Sequence, residues 1–87
     1  AQQGLINRVV PLEQLDAAIG KLTDSICSKS ALAIRMGKEL FYRQLNMPLE
    51  DAYACASEMM ACNMNSEDAR EGIDAFIAKR KPEWKGC

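Results

Sequence analysis

Three acidic side chains, Glu67, Asp68 and Glu71, fall within about one helical turn, and an aromatic–cation pair, Phe76 and Lys79, follows at a spacing of three. Paired carboxylates suit general acid–base work when a cleft sets them on opposite sides of a substrate. Here they crowd one stretch, and nothing in the sequence places a second carboxylate across from them. Their spacing suits complementation of a helix N-terminus and local pairing with Arg70. Phe76 and Lys79 share one helix face at that separation; spacing alone makes them a core aromatic and a solvated C-terminal charge. The chain has no histidine, which removes Ser-His-Asp and Cys-His nucleophilic arrangements and any Cys2His2 zinc site. Cys27, Cys55, Cys62 and Cys87 contain no CxxC pair. Cys55 and Cys62 sit two turns apart on one helix face, roughly 10 Å, which is too far for a disulfide. Small, buried, reduced thiols are the expectation for these cysteines, with terminal Cys87 exposed.

Eighty-seven residues, 48% of them hydrophobic and 26% charged, describe one small globular unit. A net charge of −1 argues against nucleic acid as a partner. Four basic residues between Lys79 and Lys85 with Trp84 among them are a solvated helix end, not an RNA contact. No stretch approaches the roughly 18 apolar residues of a spanning helix, so no membrane is expected. The first twenty residues show no signal peptide. The expected compartment is the cytoplasm, with the mitochondrial matrix as the alternative. The chain opens on Ala1, not Met, as a processed product or a fragment would.

The elements that must position these groups are helical. Residues 1–10 form an extended arm, with Leu5, Ile6, Val9 and Val10 apolar, that must lie on something else. Leu12, Leu15, Ile19, Leu22 and Ile26 recur in steps of three and four, a helical stripe that starts with Pro11 in the first turn and fades near Cys27 to Lys29. Ser30 caps a second helix to about Leu45. Pro48 opens a third, to about Asn63, and Ser66 caps a fourth that closes on Lys79, Arg80 and Lys81 before Pro82. The prediction is an all-α fold, a small bundle of three to four helices forming a single helical unit over 1–87. Short connections make sequential helices neighbours. Phe41 and Tyr53 belong in its core, Trp84 packs on a neighbouring element in an irregular tail, and the five methionines fill gaps.

Two segments carry a family resemblance. Gly4-Leu5-Ile6-Asn7-Arg8-Val9-Val10-Pro11 is similar to the "GLVNRVVP" segment of the enoyl-CoA hydratase/isomerase family, the crotonases. Ser66-Glu67-Asp68-Ala69-Arg70-Glu71-Gly72-Ile73, with Ala75-Phe76, Lys79-Arg80-Lys81-Pro82 and Trp84, resembles the family's C-terminal signature, S-x-D-A-x-E-G-x-x-A-F-x-x-K-R-x-P-x-W. The resemblance runs through all 87 residues. It implies a C-terminal helical portion that covers the active site, builds the oligomer and lends residues to a CoA site. Members carry their oxyanion hole and catalytic acids upstream of this region, so the resemblance implies no catalytic residue here. It implies that Phe76 and Lys79 reach the adenosine end of CoA in an adjacent subunit. An aromatic can pack on adenine and an ammonium can pair with phosphate. Arg80 is used variably in the family. Phe41, Tyr42 and Tyr53 could add to an acyl-pocket wall. The implied partners are acyl-CoA and further copies of the chain, with no metal or redox cofactor. The competing reading is a non-catalytic helical module that self-associates or docks on a partner.

Overall fold

The computed structural model describes all 87 residues, and they form an all-α chain. A 3-10 turn at Leu12–Gln14 leads into α1 (Leu15–Cys27), followed by α2 (Ala31–Gln44), α3 (Leu49–Met64) and α4 (Glu67–Ile77). Pro11 stands before this sequence of elements, not inside it. Its ψ of 149° is extended, and its carbonyl accepts the Gln14 N–H at 2.9 Å, so the first turn winds as 3-10 before α1 begins.

Two serines start helices as their spacing predicts. The Ser30 hydroxyl accepts the Ala33 N–H at 3.3 Å, and the Ser66 hydroxyl accepts the Ala69 N–H at 3.0 Å. Each satisfies an amide with no partner inside its helix, a contribution of about 1 kcal/mol. Pro48 caps α3 from outside, with its carbonyl taking the Ala52 N–H at 2.9 Å. Glu50 and Asp51 follow in the first turn, where negative charge favours the dipole. The short link at 45–48 folds α3 back against α2, which is the main helix–helix contact; α3 and α4 meet less extensively.

The bundle is held open. Alpha helix α1 packs chiefly on its own preceding 3-10 turn, so the expected packing of sequential helices holds for α2–α3 and α3–α4 but not for α1–α2. The radius of gyration is 16.6 Å, against about 12 Å for a compact chain of this length. The accessible surface is 7555 Å², about 2,500 Å² more than a compact monomer of this mass shows. Only Ala75 is a fully buried apolar residue. The α1 stripe of Leu15, Ile19, Leu22 and Ile26 lies half exposed. Phe41 and Tyr53, expected in the core, are 54% and 69% exposed. No methionine is buried either. These side chains have the right periodicity for a core, but this chain supplies no opposing layer to cover them.

The arm is not extended throughout. Residues 1–4 close a turn through Gly4 N–H to the Ala1 carbonyl at 3.2 Å, with Gly4 at φ +74°. Further along, Asn7, Arg8 and Val10 lie beside Leu15, Ile19 and Leu22 of α1 and frame an apolar cleft of about 360 Å³. All four cysteines are free, as expected, but none is buried: Cys55 is half buried and the other three are exposed.

Two glycines test the packing. A Cβ on Gly20 would meet nothing within 4 Å, whereas one on Gly72 would sit 3.2 Å from the Trp84 ring. Gly20→Ala should therefore gain about 0.5–1 kcal/mol of helix propensity. Gly72→Ala should lose that gain by displacing the indole. In thermal unfolding followed by circular dichroism, the first variant rises in Tm and the second falls. Equal rises would show that the indole does not rest on α4.

Candidate functional site

The chemistry-bearing residues gather at the two ends of α4 and in the tail that follows it. Asp68, in the first turn of α4, is 3% exposed. Its carboxylate accepts the Ser30 hydroxyl at 2.5 Å, the Lys85 N–H at 2.7 Å and the Gly86 N–H at 3.0 Å. Its own N–H donates to the Cys87 carbonyl at 2.8 Å. The tail has no regular structure, yet this one residue fixes its last three positions. Trp84, between the two anchor regions, is half buried against Gly72 and donates its indole N–H to the Ser28 carbonyl at 2.8 Å.

One turn further along α4, Glu71 forms a second anchor. Its two carboxylate oxygens take the Arg80 guanidinium at 2.5 and 3.1 Å, and Oε1 also accepts the Glu83 N–H at 2.9 Å. The expected local pairing with Arg70 is therefore replaced by a fork to Arg80, nine residues on. Glu67 faces Lys85 at 3.9 Å, a loose and exposed pair.

Between these anchors α4 ends earlier than the basic run suggested. The helix stops at Ile77, with Ala78 as its C-cap. Lys79 has φ +54°. Its N–H donates to the Phe76 carbonyl at 3.2 Å, and the Arg80 N–H reaches the Ala75 carbonyl at 3.0 Å. These two bonds close a Schellman turn with Lys79 in the left-handed position that glycine usually fills. The expectation that Phe76 and Lys79 share a helix face is corrected here: Phe76 is on the last turn of α4, and Lys79 stands outside it. Both are nonetheless free at the same end. Phe76 is 85% exposed, so it is not a core residue of this chain. Arg80 is engaged by Glu71, whereas Lys79 and Lys81 are exposed and form no ion pair.

The electrostatics separate these groups from acid–base catalysts. The Ser30 hydroxyl and the Lys85 and Gly86 amides hold the Asp68 carboxyl below its usual range, against the opposing effect of burial. The Arg80 fork and the Glu83 amide bring Glu71 down to about 2. A general acid or base needs a pKa near the working pH. Both carboxylates are ionised and occupied, which agrees with the structural reading of the cluster. Cys87 is raised, first by desolvation and then by the Glu67 carboxylate beside it, so it stays a thiol at neutral pH.

A separate apolar groove runs between α2 and α3. Leu40, Phe41, Leu49 and Tyr53 line about 390 Å³ of it, with Gly37 and Ala56 keeping its floor low. The Phe41 ring meets Tyr42 edge-on, 5.3 Å between centroids.

The "Enoyl-CoA hydratase/isomerase" family description matches residues 1–87. The chain belongs to that family. It is similar to enoyl-CoA hydratase domain-containing protein 3, mitochondrial, of Mus musculus, with 46% identity over 83 residues, 95% of this chain and 28% of that protein. It is also similar to the carnitinyl-CoA dehydratase of Citrobacter koseri, at 36% identity over 95% of this chain and 33% of that one. Among solved structures, an enoyl-CoA hydratase of Mycobacterium smegmatis superposes with a TM-score of 0.89 at 49% identity, covering 93% of this chain and 32% of that one. The chain thus spans about a third or less of the length of the enoyl-CoA hydratase relatives it matches. The open arrangement of its helices is one that the Mycobacterium smegmatis protein adopts within a larger fold.

Sequence reasoning missed the tail anchors. Asp68 reads as an ordinary first-turn acid, and its three partners come from residues 30, 85 and 86, which no local spacing connects. The closing Pro82-x-Trp84 was a signal, since an aromatic after a helix stop needs a surface to lie on.

The depressed carboxyl pKa values have a direct consequence in acid. Both groups bind protons more readily unfolded than folded, so they stabilise the fold fully above their unfolded values near pH 4–5 and lose that contribution as pH falls through their depressed folded values, which for Glu71 is about 2. Trp84 is the only tryptophan. Its fluorescence should shift toward that of a solvated indole between about pH 5 and pH 2, before the helical circular dichroism is lost. Simultaneous loss of both signals would show that the anchors carry no separate part of the fold.

Proposed function

We propose that this chain is the C-terminal lid, oligomerisation and CoA-edge portion of an enoyl-CoA hydratase/isomerase protein acting on acyl-CoA thioesters. The observation that carries the CoA assignment is the pairing of an 85% exposed Phe76 with a Lys79 held at φ +54°. A side chain other than glycine or asparagine at that backbone angle costs roughly 1 kcal/mol or more. A chain that accepts this cost for a lysine gains from its ammonium, and a phosphate of CoA beside an aromatic that can cover adenine is the ligand that fits. The reaction class follows family membership. The CoA names of the relatives support the acyl-CoA substrate, and the mitochondrial name of the mouse relative supports the mitochondrial alternative over the cytoplasm. No metal or redox cofactor is needed by this reading.

The lid and oligomer roles rest on uncovered apolar surface. The α1 stripe, the arm and the α2–α3 groove expose more than a stable monomer of this size leaves open. The rest of the complete protein and neighbouring copies would cover these faces, and the groove flanked by Phe41 and Tyr53 would form part of an acyl-pocket wall. The same surface also favours the self-associating helical module, so the two readings part on CoA binding and not on assembly.

Within the chain, Asp68 and Glu71 are occupied by hydrogen bonds, and no positioned base remains. Incubated with crotonyl-CoA, the isolated chain should leave the conjugated enoyl absorbance decaying at the buffer rate. Hydration by a preparation freed of contaminating hydratase would sink the proposal that it is inert alone.

Lys79 supplies the sharper test, in the complete protein. Lys79→Ala should raise KM for a CoA substrate by about tenfold or more, the loss of one well-formed charge-assisted contact, with a modest change in kcat. The pantetheine thioester, lacking phosphate and adenine, should not distinguish variant from parent. Lys79→Gly should weaken CoA binding in the same way yet raise Tm, because glycine relieves the left-handed backbone. Equal slowing of both substrates by Lys79→Ala would make the lysine structural.

A further inference from the structure

The Lys79 turn is flanked by a carboxylate of α4 that bonds to the residues after it. The Glu71 carboxylate is 23% exposed and takes three N–H groups: two from the Arg80 guanidinium, at 2.5 and 3.1 Å, and the Glu83 amide at 2.9 Å. Arg80 follows Lys79 directly, and its own amide closes the Schellman turn on Ala75 at 3.0 Å. Residue 80 is therefore held by backbone at the helix end and by side chain one and a half turns earlier on the same helix. Residue 83 is held to the same carboxylate. Lys79 lies between the helix and this clamp, with its backbone set at φ +54°.

We propose that Glu71 is a positioning residue for the ligand cation Lys79, acting through the Arg80 fork to hold the turn in its left-handed form; this rests on the assignment of Lys79 to the CoA phosphates given above. A lysine at φ > 0 relaxes to a right-handed or extended conformation if nothing opposes it. The Schellman bonds oppose it from the N-terminal side, and the bidentate fork opposes it from the C-terminal side. A fork has a fixed plane, so it sets orientation as well as distance. It also withdraws Arg80 from the ligand. A free guanidinium next to Lys79 would compete for the same phosphate, whereas here Arg80 is spent on holding the turn. The fork is partly exposed, so its role is geometric and adds little to overall stability.

The test uses the complete protein with a CoA substrate and its pantetheine analogue. Glu71→Gln keeps the side-chain shape but cannot accept both guanidinium bonds. It should raise KM for the CoA substrate about three- to tenfold, leaving kcat and the pantetheine KM unchanged. In the Lys79→Ala background the same substitution should add nothing, because its effect passes through the lysine. Arg80→Met breaks the fork from its exposed end and should reproduce the KM effect should Glu71→Gln fold poorly. Four results would overturn the inference. The first is an unchanged or lowered CoA KM in Glu71→Gln while Lys79→Ala still raises it; a lowered value would mean that the freed Arg80 binds phosphate itself. The second is equal loss on both substrates, which would make Glu71 merely structural. The third is full additivity with Lys79→Ala. The fourth, an unchanged KM in Lys79→Ala itself, would remove the CoA assignment and this inference with it.

Discussion

A buried carboxylate without a countercharge survives only if its lone pairs are filled, and in this chain Asp68 fills them with three donors from two distant places. The Ser30 hydroxyl brings the start of α2, and the Lys85 and Gly86 amides bring the tail. The Asp68 N–H, an unpaired donor of the α4 first turn, is satisfied by the Cys87 carbonyl. Ser30 serves twice, donating to Asp68 and accepting from Ala33, so the cap of one helix and the first turn of another share an oxygen. With the tail fixed there, Trp84 has one path, across Gly72 to the Ser28 carbonyl. The end of α1, the start of α2 and the first half of α4 are thereby brought to one place with almost no apolar core between them.

That economy explains the shape. Full hydrophobic burial, the usual source of compactness, is nearly absent, since one alanine is the only apolar residue wholly removed from water. Polar contacts are directional and hold an open arrangement that a greasy core would collapse. The apolar stripes on α1 and along the α2–α3 groove are left as surfaces for something else, which agrees with a chain whose relatives are about three times longer. The Phe76–Lys79 end of α4 and the apolar faces are separate, so the CoA binding proposed for the first and the assembly proposed for the second would not compete.

What could be read from residue order was local. Four helices, the serine caps at Ser30 and Ser66 and the free cysteines depend on neighbours within a few positions, where propensity and capping decide. The family likeness was legible because its signature is itself a run of local spacings along α4. Burial was not legible. Phe41, Tyr53 and Ile19 have core periodicity, but periodicity says that a face will be covered and not by which chain. Nor was the end of α4. The run Lys79-Arg80-Lys81 reads as a dipole-matched last turn, whereas Arg80 bonds back to Glu71 and Lys79 adopts a left-handed backbone. The indole partner of Trp84 lies 56 positions away, and no short-range pattern encodes it.

The separations across the tail clasp also set a sequence of events in time. Asp68 meets Ser30 across 38 positions and Trp84 meets Ser28 across 56, whereas α2 and α3 are joined by a link of four residues. Closing a larger loop costs little extra free energy, about 0.6 kcal/mol per doubling, but the search is slower. These separations predict that the α2–α3 hairpin forms early from neighbours and that the clasp shuts last, after most of the transition. Contacts made after the barrier govern how long a folded molecule lasts more than how fast it arises. The tail of this chain is therefore a device of persistence: weakening it leaves the rate of formation nearly untouched and shortens the lifetime of the shape that presents Lys79.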